Sequence, residues 1–273
     1  MARAALGPTG AVITPTEGPD LAQTAVALEA LGFTTLWVAG GPLASLDQVA
    51  DVIRATDHVT VSTGILAVVR FTSDQVIALY DELEASHPGR FVVGLGGAHG
   101  PDPIPTLEHY LDRLATIPPS RRVLAALGPR MFRMAREHAG GAYPVAITPE
   151  RTAEVRSLLG PDSTLAVDQL ATVTADPAEG RQLGRARLGF LATLPAYQAN
   201  FRRMGFTDDD IASLSDPLID ALVPWGPVEA IAAQVQAHRD AGADHVALSL
   251  VSANEQPTVQ EWQALAEAVV ART

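Results

Sequence analysis

Short β-forming apolar runs alternate with helix-spaced apolar stripes eight times along this chain, and few folds accept that order. The predicted strands are Gly10 to Thr14, Thr34 to Ala39, His58 to Thr63, Phe91 to Leu95, Arg121 to Leu127, Ala142 to Ile147, a run within Thr164 to Thr174, and His245 to Val251. Between them lie stripes such as Leu21, Ala25, Leu28 and Leu31, closed by Gly32, and Ile231, Val235 and His238, closed by Gly242. Predicted caps are Ser45, then Thr72 or Ser73, and Thr148 followed by Pro149 at the first helical position. Leu107 to Leu114 reads as helix, as does a region from Asp176-Pro177 to about Met204. Phe206 to Pro224 reads as irregular or short-helical, and a last helix carries Trp262, Leu265 and Val269. Strands alternating with helices make βαβ units and a parallel sheet. The reading is an α/β chain folded as a (β/α)8 TIM barrel, one domain over residues 1–273, with a doubly wound open sheet as the alternative.

A barrel keeps its chemistry at the C-terminal ends of its strands, so the residues after each strand are the candidates. The clearest stretch is Arg90 to Pro101, where Phe91 to Leu95 empties into Gly96-Gly97 and then His99. Glycines there let a backbone come close to something flat or anionic. Gly94, Gly96 and Gly97 invite a dinucleotide fingerprint, but its last glycine would fall on His99. Pro101-Asp102-Pro103 opens no helix to receive a pyrophosphate, so that reading is rejected. Gly128-Pro129-Arg130 starts a helix and offers free N–H groups, a positive dipole end and a permanent charge, with an ordinary helix start as the plainer reading.

Composition removes several chemistries. There is no cysteine, hence no thiol nucleophile or thiolate metal site. All 19 basic residues are arginine, which excludes a Schiff-base aldolase, a pyridoxal-phosphate enzyme and a P-loop NTPase. A net charge of −12 argues against nucleic acid or an anionic membrane as partner. No apolar run reaches a membrane span, and Ala4 to Ala11 lacks the apolar core of a secretory signal, so a soluble cytoplasmic protein is expected. No two histidines stand at i, i+4, no metal pattern surrounds them, and no G-x-S-x-G elbow exists. His58 and His245 sit at the N-terminal ends of their strands, and His87, His109, His138 and His238 belong to helices. His99 alone follows a strand, in a glycine-lined, largely apolar cup that suits a planar cofactor bringing its own reactivity.

Several motifs together resemble the bacterial luciferase-like superfamily, whose members use reduced flavin or the deazaflavin coenzyme F420. They are Ala30-Leu31-Gly32-Phe33 through Leu36-Trp37-Val38, Thr63-Gly64-Ile65, Pro88 to Gly96, Ala125 to Arg130, and Trp225-Gly226 through Ala241 to Val246. The segment Tyr197 to Phe206 and then Trp225-Gly226 is most similar to a branch of F420-dependent oxidoreductases. The resemblance implies a TIM barrel with the ring over the strand ends, near Thr63, Gly64 and Ile65, at a turn that often holds a non-prolyl cis peptide in relatives. It implies further cofactor contacts from Gly96, Gly97 and Ala126, and a phosphate tail near Gly128, Pro129, Arg130 and Met131. It implies a small organic substrate beside Ala39, Gly40 and Trp225, His99 managing a proton, no metal, and a homodimer. This chain departs from relatives at Ala39-Gly40-Gly41, where they often carry an acidic residue or histidine. It departs also at Val12-Ile13-Thr14, which lacks an aromatic, and at the short segment Pro101 to Ser120. Hydride transfer between F420 and a small substrate is therefore the leading expectation. An FMN-dependent monooxygenase and a non-catalytic partner barrel are the alternatives.

Overall fold

The computed structural model describes residues 3–15, 20–98, 103–254 and 256–270. In chain order the elements are β1 (Thr9–Ile13), α1 (Leu21–Ala30), β2 (Thr35–Ala39), α2 (Asp47–Ala55), β3 (Thr60–Gly64), β4 (Leu66–Ala67), α3 (Ser73–Ser86) and β5 (Phe91–Gly96). There follow α4 (Pro103–Arg113), a 3-10 turn (Pro119–Arg121), β6 (Arg122–Leu124), α5 (Pro129–His138), β7 (Gly141–Ala142), α6 (Pro149–Leu159) and β8 (Thr164–Val173). The last are α7 (Pro177–Ala192), α8 (Pro195–Arg203), α9 (Asp208–Ser213), α10 (Asp216–Leu222), β9 (Trp225–Gly226), α11 (Val228–Asp240), β10 (His245–Leu250) and α12 (Val259–Val269).

The ring runs β1-β2-β3-β5-β6-β7-β8-β10 and closes because β10 pairs with both β8 and β1, all parallel. The register sets Ala11 beside Leu36 and Leu248, and Val246 beside Val167. This is the (β/α)8 barrel, and the open sheet is excluded. Side chains alternate along each strand. Leu36, Val38, Val61, Phe91, Val93, Leu165 and Leu248 pack outward in the large cluster shared with the helices. Trp37, Val92, Val123, Tyr143, Ala166 and Ala247 fill the interior.

The segment before β1 closes the bottom of the ring. Ala4 and Leu6 pack into the interior cluster, and Thr164 Oγ1 donates to the Ala4 carbonyl at 2.9 Å. His245 Nε2 accepts from Trp37 Nε1 at 2.9 Å, which leaves Nδ1 to donate to the Gly7 carbonyl at 2.7 Å. Burial in that layer holds the His245 pKa down to about 4, so the ring stays neutral.

Local expectations fail at a few ends. Ser45 is no cap: Leu46 occupies that position, and Ser45 Oγ donates instead to Asp47 Oδ2. The sixth barrel strand is only two residues long, because Pro144 has no N–H to pair and Ala146 turns the backbone to φ 53°. The fifth stops at Leu124. The helical region after Asp176 divides at Thr193 and Leu194, where Pro195 starts a new helix. Thr72 caps α3 with a full capping box, and Thr148 caps α6 with Pro149 at its first turn. Among the described residues, no helix is long and apolar enough to cross a membrane.

Candidate functional site

A cavity of about 740 Å3 opens at the C-terminal ends of β2, β3, β5, β6 and β7. Gly40, Gly41, Gly64, Ile65, Gly96 and Gly97 form one side of it. Ala125 to Gly128 and Met131 form the next, and α7 and α8 cover it with Leu191, Leu194, Ala196 and Tyr197. The wall is mostly apolar, as in pockets for planar organic ligands.

The glycine side is built by close backbone approach. The Gly64–Ile65 peptide is cis, at the turn where the resemblance implied one. Its Ile65 carbonyl lies 1.8 Å from where a Cβ on Gly40 would stand, so no larger residue fits at 40. Behind this wall Thr63 is buried, its hydroxyl bridging to the Gly94 backbone at 2.9 Å in both directions. Arg70 fixes the loop after β2, donating to the carbonyls of Gly40 (3.2 Å), Gly41 (2.6 Å) and Leu43 (2.7 Å).

The floor is an aromatic stack. Tyr143 lies on Trp37 with ring centroids 4.0 Å apart and planes 9° from parallel. Tyr143 Oη donates to Asp168 Oδ2 at 2.8 Å, and Ser249 Oγ donates to Asp168 Oδ1 at 2.6 Å. Burial raises the Asp168 carboxyl above its ordinary value, while Ser249, the Arg187 charge and Tyr143 pull it back. Burial, with the Asp168 charge behind it, pushes the Tyr143 phenol well up. Burial carries Tyr197 to about 12. Both phenols stay protonated at neutral pH.

At the far wall Gly128 is the N-cap of α5, with Pro129 in the first turn. The guanidinium of Arg203, from α8, lies 3.7 Å from where a Gly128 Cβ would stand. Arg203 lines the cavity and makes no salt bridge among the described residues.

Of the residues expected to contact a cofactor, Gly64, Ile65, Gly96, Gly97, Ala126, Gly128 and Met131 line the cavity. Thr63 stands one layer behind, and Pro129 and Arg130 are exposed outside it. On the substrate side Gly40 lines the cavity, whereas Ala39 does not. Trp225 does not line it either. It is drawn away toward α7, its Nε1 donating to Asp220 Oδ1 at 2.7 Å with Arg181 over its ring at 5.7 Å. Gly180 leaves the room for that packing, since a Cβ there would meet Trp225 at 2.6 Å. His99 lies outside the described residues.

Sequence reading missed Tyr143, Asp168, Tyr197 and Arg203. Asp168 had a signal: it is a carboxylate in the middle of the apolar run Thr164-Leu165-Ala166-Val167 to Leu170. Such a residue is buried with partners or is not in a strand at all.

No protein-family model and no curated protein sequence matches the chain. Solved structures match it over nearly all its length. An F420-dependent secondary alcohol dehydrogenase, solved with an F420–acetone adduct, superposes with a TM-score of 0.75 at 16% identity, covering 98% of this chain and 99% of its own. The coenzyme F420-dependent tetrahydromethanopterin reductase from Methanopyrus kandleri gives 0.71 at 13%, covering 98% and 99%. The oxygenating constituent of 3,6-diketocamphane monooxygenase from Pseudomonas putida, solved with FMN, gives 0.68 at 10%, covering 96% and 98%. At this identity the common property is architecture: the chain has the single-domain (β/α)8 fold found in these F420-dependent and flavin-dependent enzymes.

Proposed function

We propose that this cavity holds coenzyme F420, with FMN as the alternative, and that the chain is an oxidoreductase acting on a small organic substrate. The observation that carries the reading is the shape and chemistry of the cup. It has about 740 Å3 of mostly apolar space bounded by glycine backbone on one side, with a helix start and Arg203 on the other. The residues fit a flat ring with an anionic tail. Gly96 presents backbone where a Cβ would crowd Ala125 at 2.9 Å and Ile65 at 3.1 Å. The structural neighbours solved with an F420 adduct or FMN, and the F420-dependent reductase, add support.

When bound, such a cofactor supplies two-electron transfer. The protein's part is placement. Ile65, Gly96 and Gly97 would bear on the ring, and the first N–H groups of α5 with Arg203 would receive a phosphate. Leu191, Leu194 and Tyr197 would keep water out. His99 is proposed as the proton-handling residue on its sequence position. A free imidazole, with a reference pKa of about 6.5, is a side-chain type suited to that work.

Titration of the purified protein with oxidised F420 and with FMN tests the reading through fluorescence quenching. Micromolar binding of either supports it, and the tighter of the two identifies the cofactor. Binding of neither removes the enzyme reading and leaves a non-catalytic barrel.

A further inference from the structure

The cavity floor holds a hydrogen-bond arrangement that one ligand contact would upset. The Tyr143 hydroxyl has a single hydrogen, and it goes to Asp168 Oδ2 at 2.8 Å. Ser249 gives its hydroxyl hydrogen to the other carboxylate oxygen at 2.6 Å. Asp168 and Tyr143 are both buried, and Tyr143 still borders the cavity. Gly64 opens the route: a Cβ there would stand 3.3 Å from the Tyr143 hydroxyl. An acceptor atom reaching this spot competes with Asp168 for one hydrogen. If it wins while Asp168 is ionised, a buried charge loses a donor, which is strongly unfavourable. If Asp168 is protonated, it donates to the Tyr143 oxygen, and both contacts stand together.

We propose that Tyr143 and Asp168 form a proton-linked contact on the floor of this cavity. A ligand acceptor atom takes the Tyr143 hydrogen while Asp168 binds one proton from solvent and donates it to the Tyr143 oxygen. One O–H bond forms on Asp168 and no electrons move. The inference rests on reading the cavity as a flavin or deazaflavin site. Among the described residues, the groups acting on Asp168 are Ser249 of β10, Tyr143 after β7, Tyr197 of α8 and Arg187 of α7. Arg187 is the one cation in that set and is exposed to solvent. On the barrel side, Trp37 lies between Tyr143 and the neutral His245. Burial lifts the Asp168 carboxyl, which favours the protonated form the contact needs.

Riboflavin is the probe, because it lacks a phosphate and its ring does not titrate in the range used. Its affinity is read by fluorescence quenching from about pH 5 to about pH 8 in the wild type, Asp168→Asn and Tyr143→Phe, each checked for folding by circular dichroism. Wild-type affinity should fall as pH rises, approaching about tenfold per unit above the Asp168 titration. Asp168→Asn, whose amide donates to Tyr143 at every pH, should bind with no slope. Tyr143→Phe should also lose the slope and bind about two- to tenfold more weakly. If one variant does not fold, the other decides. A flat wild-type profile with clear binding overturns the proton-linked contact alone, as does a slope that persists in both variants. No binding of riboflavin, FMN or F420 at any pH overturns the cofactor reading, and this contact with it.

Discussion

At the start of α5 two arginines compete for one role, and their positions separate them. Arg130 sits in the first turn of that helix and is exposed away from the cavity, while Arg203 comes from α8 and stands at Gly128 in the cavity wall. Arg203→Ala should weaken FMN by about three- to tenfold and riboflavin far less, whereas Arg130→Ala should leave both within about twofold, measured by the same quenching titration. Equal losses for FMN and riboflavin would move the phosphate elsewhere. His99→Ala should slow substrate-dependent oxidation or reduction of the bound cofactor by about a hundredfold or more, with cofactor affinity within about twofold. Stopped-flow absorbance measures both, and an unchanged rate removes His99 from the chemistry. Gly128 could be found in sequence because a glycine and proline before a helical stripe are local signals. Arg203 could not, because nothing local says that α8 folds back over α5.

At the scale of elements, the loops after β2 and β3 are one construction. Gly40 lies against the Ile65 carbonyl, and Arg70 ties the carbonyls of Gly40, Gly41 and Leu43 from the far side. Gly40→Ala sets a methyl group against backbone that cannot move aside, so it should cost about 1–3 kcal/mol in urea unfolding and abolish cofactor binding. Normal stability with normal binding would show that the two loops yield more easily than this packing allows. The strand and helix series itself is readable from period and punctuation, as Thr72 with Gln75 and Thr148 with Pro149 illustrate. The division of α7 from α8 is also punctuated in the sequence, by Pro195. The shortening of β7 to two residues depends on Pro144 and on the left-handed turn at Ala146, and no apolar pattern reveals that. Trp225, which the resemblance sets beside the substrate, packs instead where Gly180, Arg181 and Asp220 meet it, and those partners lie 5 to 45 residues away in sequence, so no local pattern reveals them.

Over the whole molecule, two histidines tie distant parts of the ring and contribute to its acid response. His245 joins Trp37 to Gly7 inside the barrel. His238 bridges Thr152 of α6 at 2.8 Å and Gln169 of β8 at 2.5 Å outside it. Burial depresses both to about 4 from an ordinary 6.5. The unfolded chain therefore binds more protons between those values, so stability is complete above about pH 6.5 and is lost as pH falls toward about 4, by an upper bound of roughly 3 kcal/mol for each. Asp168 works in the opposite direction, because its folded carboxyl is raised and loses stability as pH rises. Urea midpoints should drop steadily from about pH 7 to about pH 5, and His238→Gln should flatten part of that slope. A slope identical in the variant would remove His238 as a contributor. The sequence by itself determined the eightfold alternation, the strand ends that carry glycines and the absence of lysine and cysteine chemistry, because each is written in neighbouring residues. Only the tertiary structure decided which side chains meet. Tyr143 and Asp168 are 25 residues apart, and Trp37 and His245 are 208 apart. Closing the ring stacks Trp37 on Tyr143, which links the His245 layer at the bottom to Asp168 at the cavity floor.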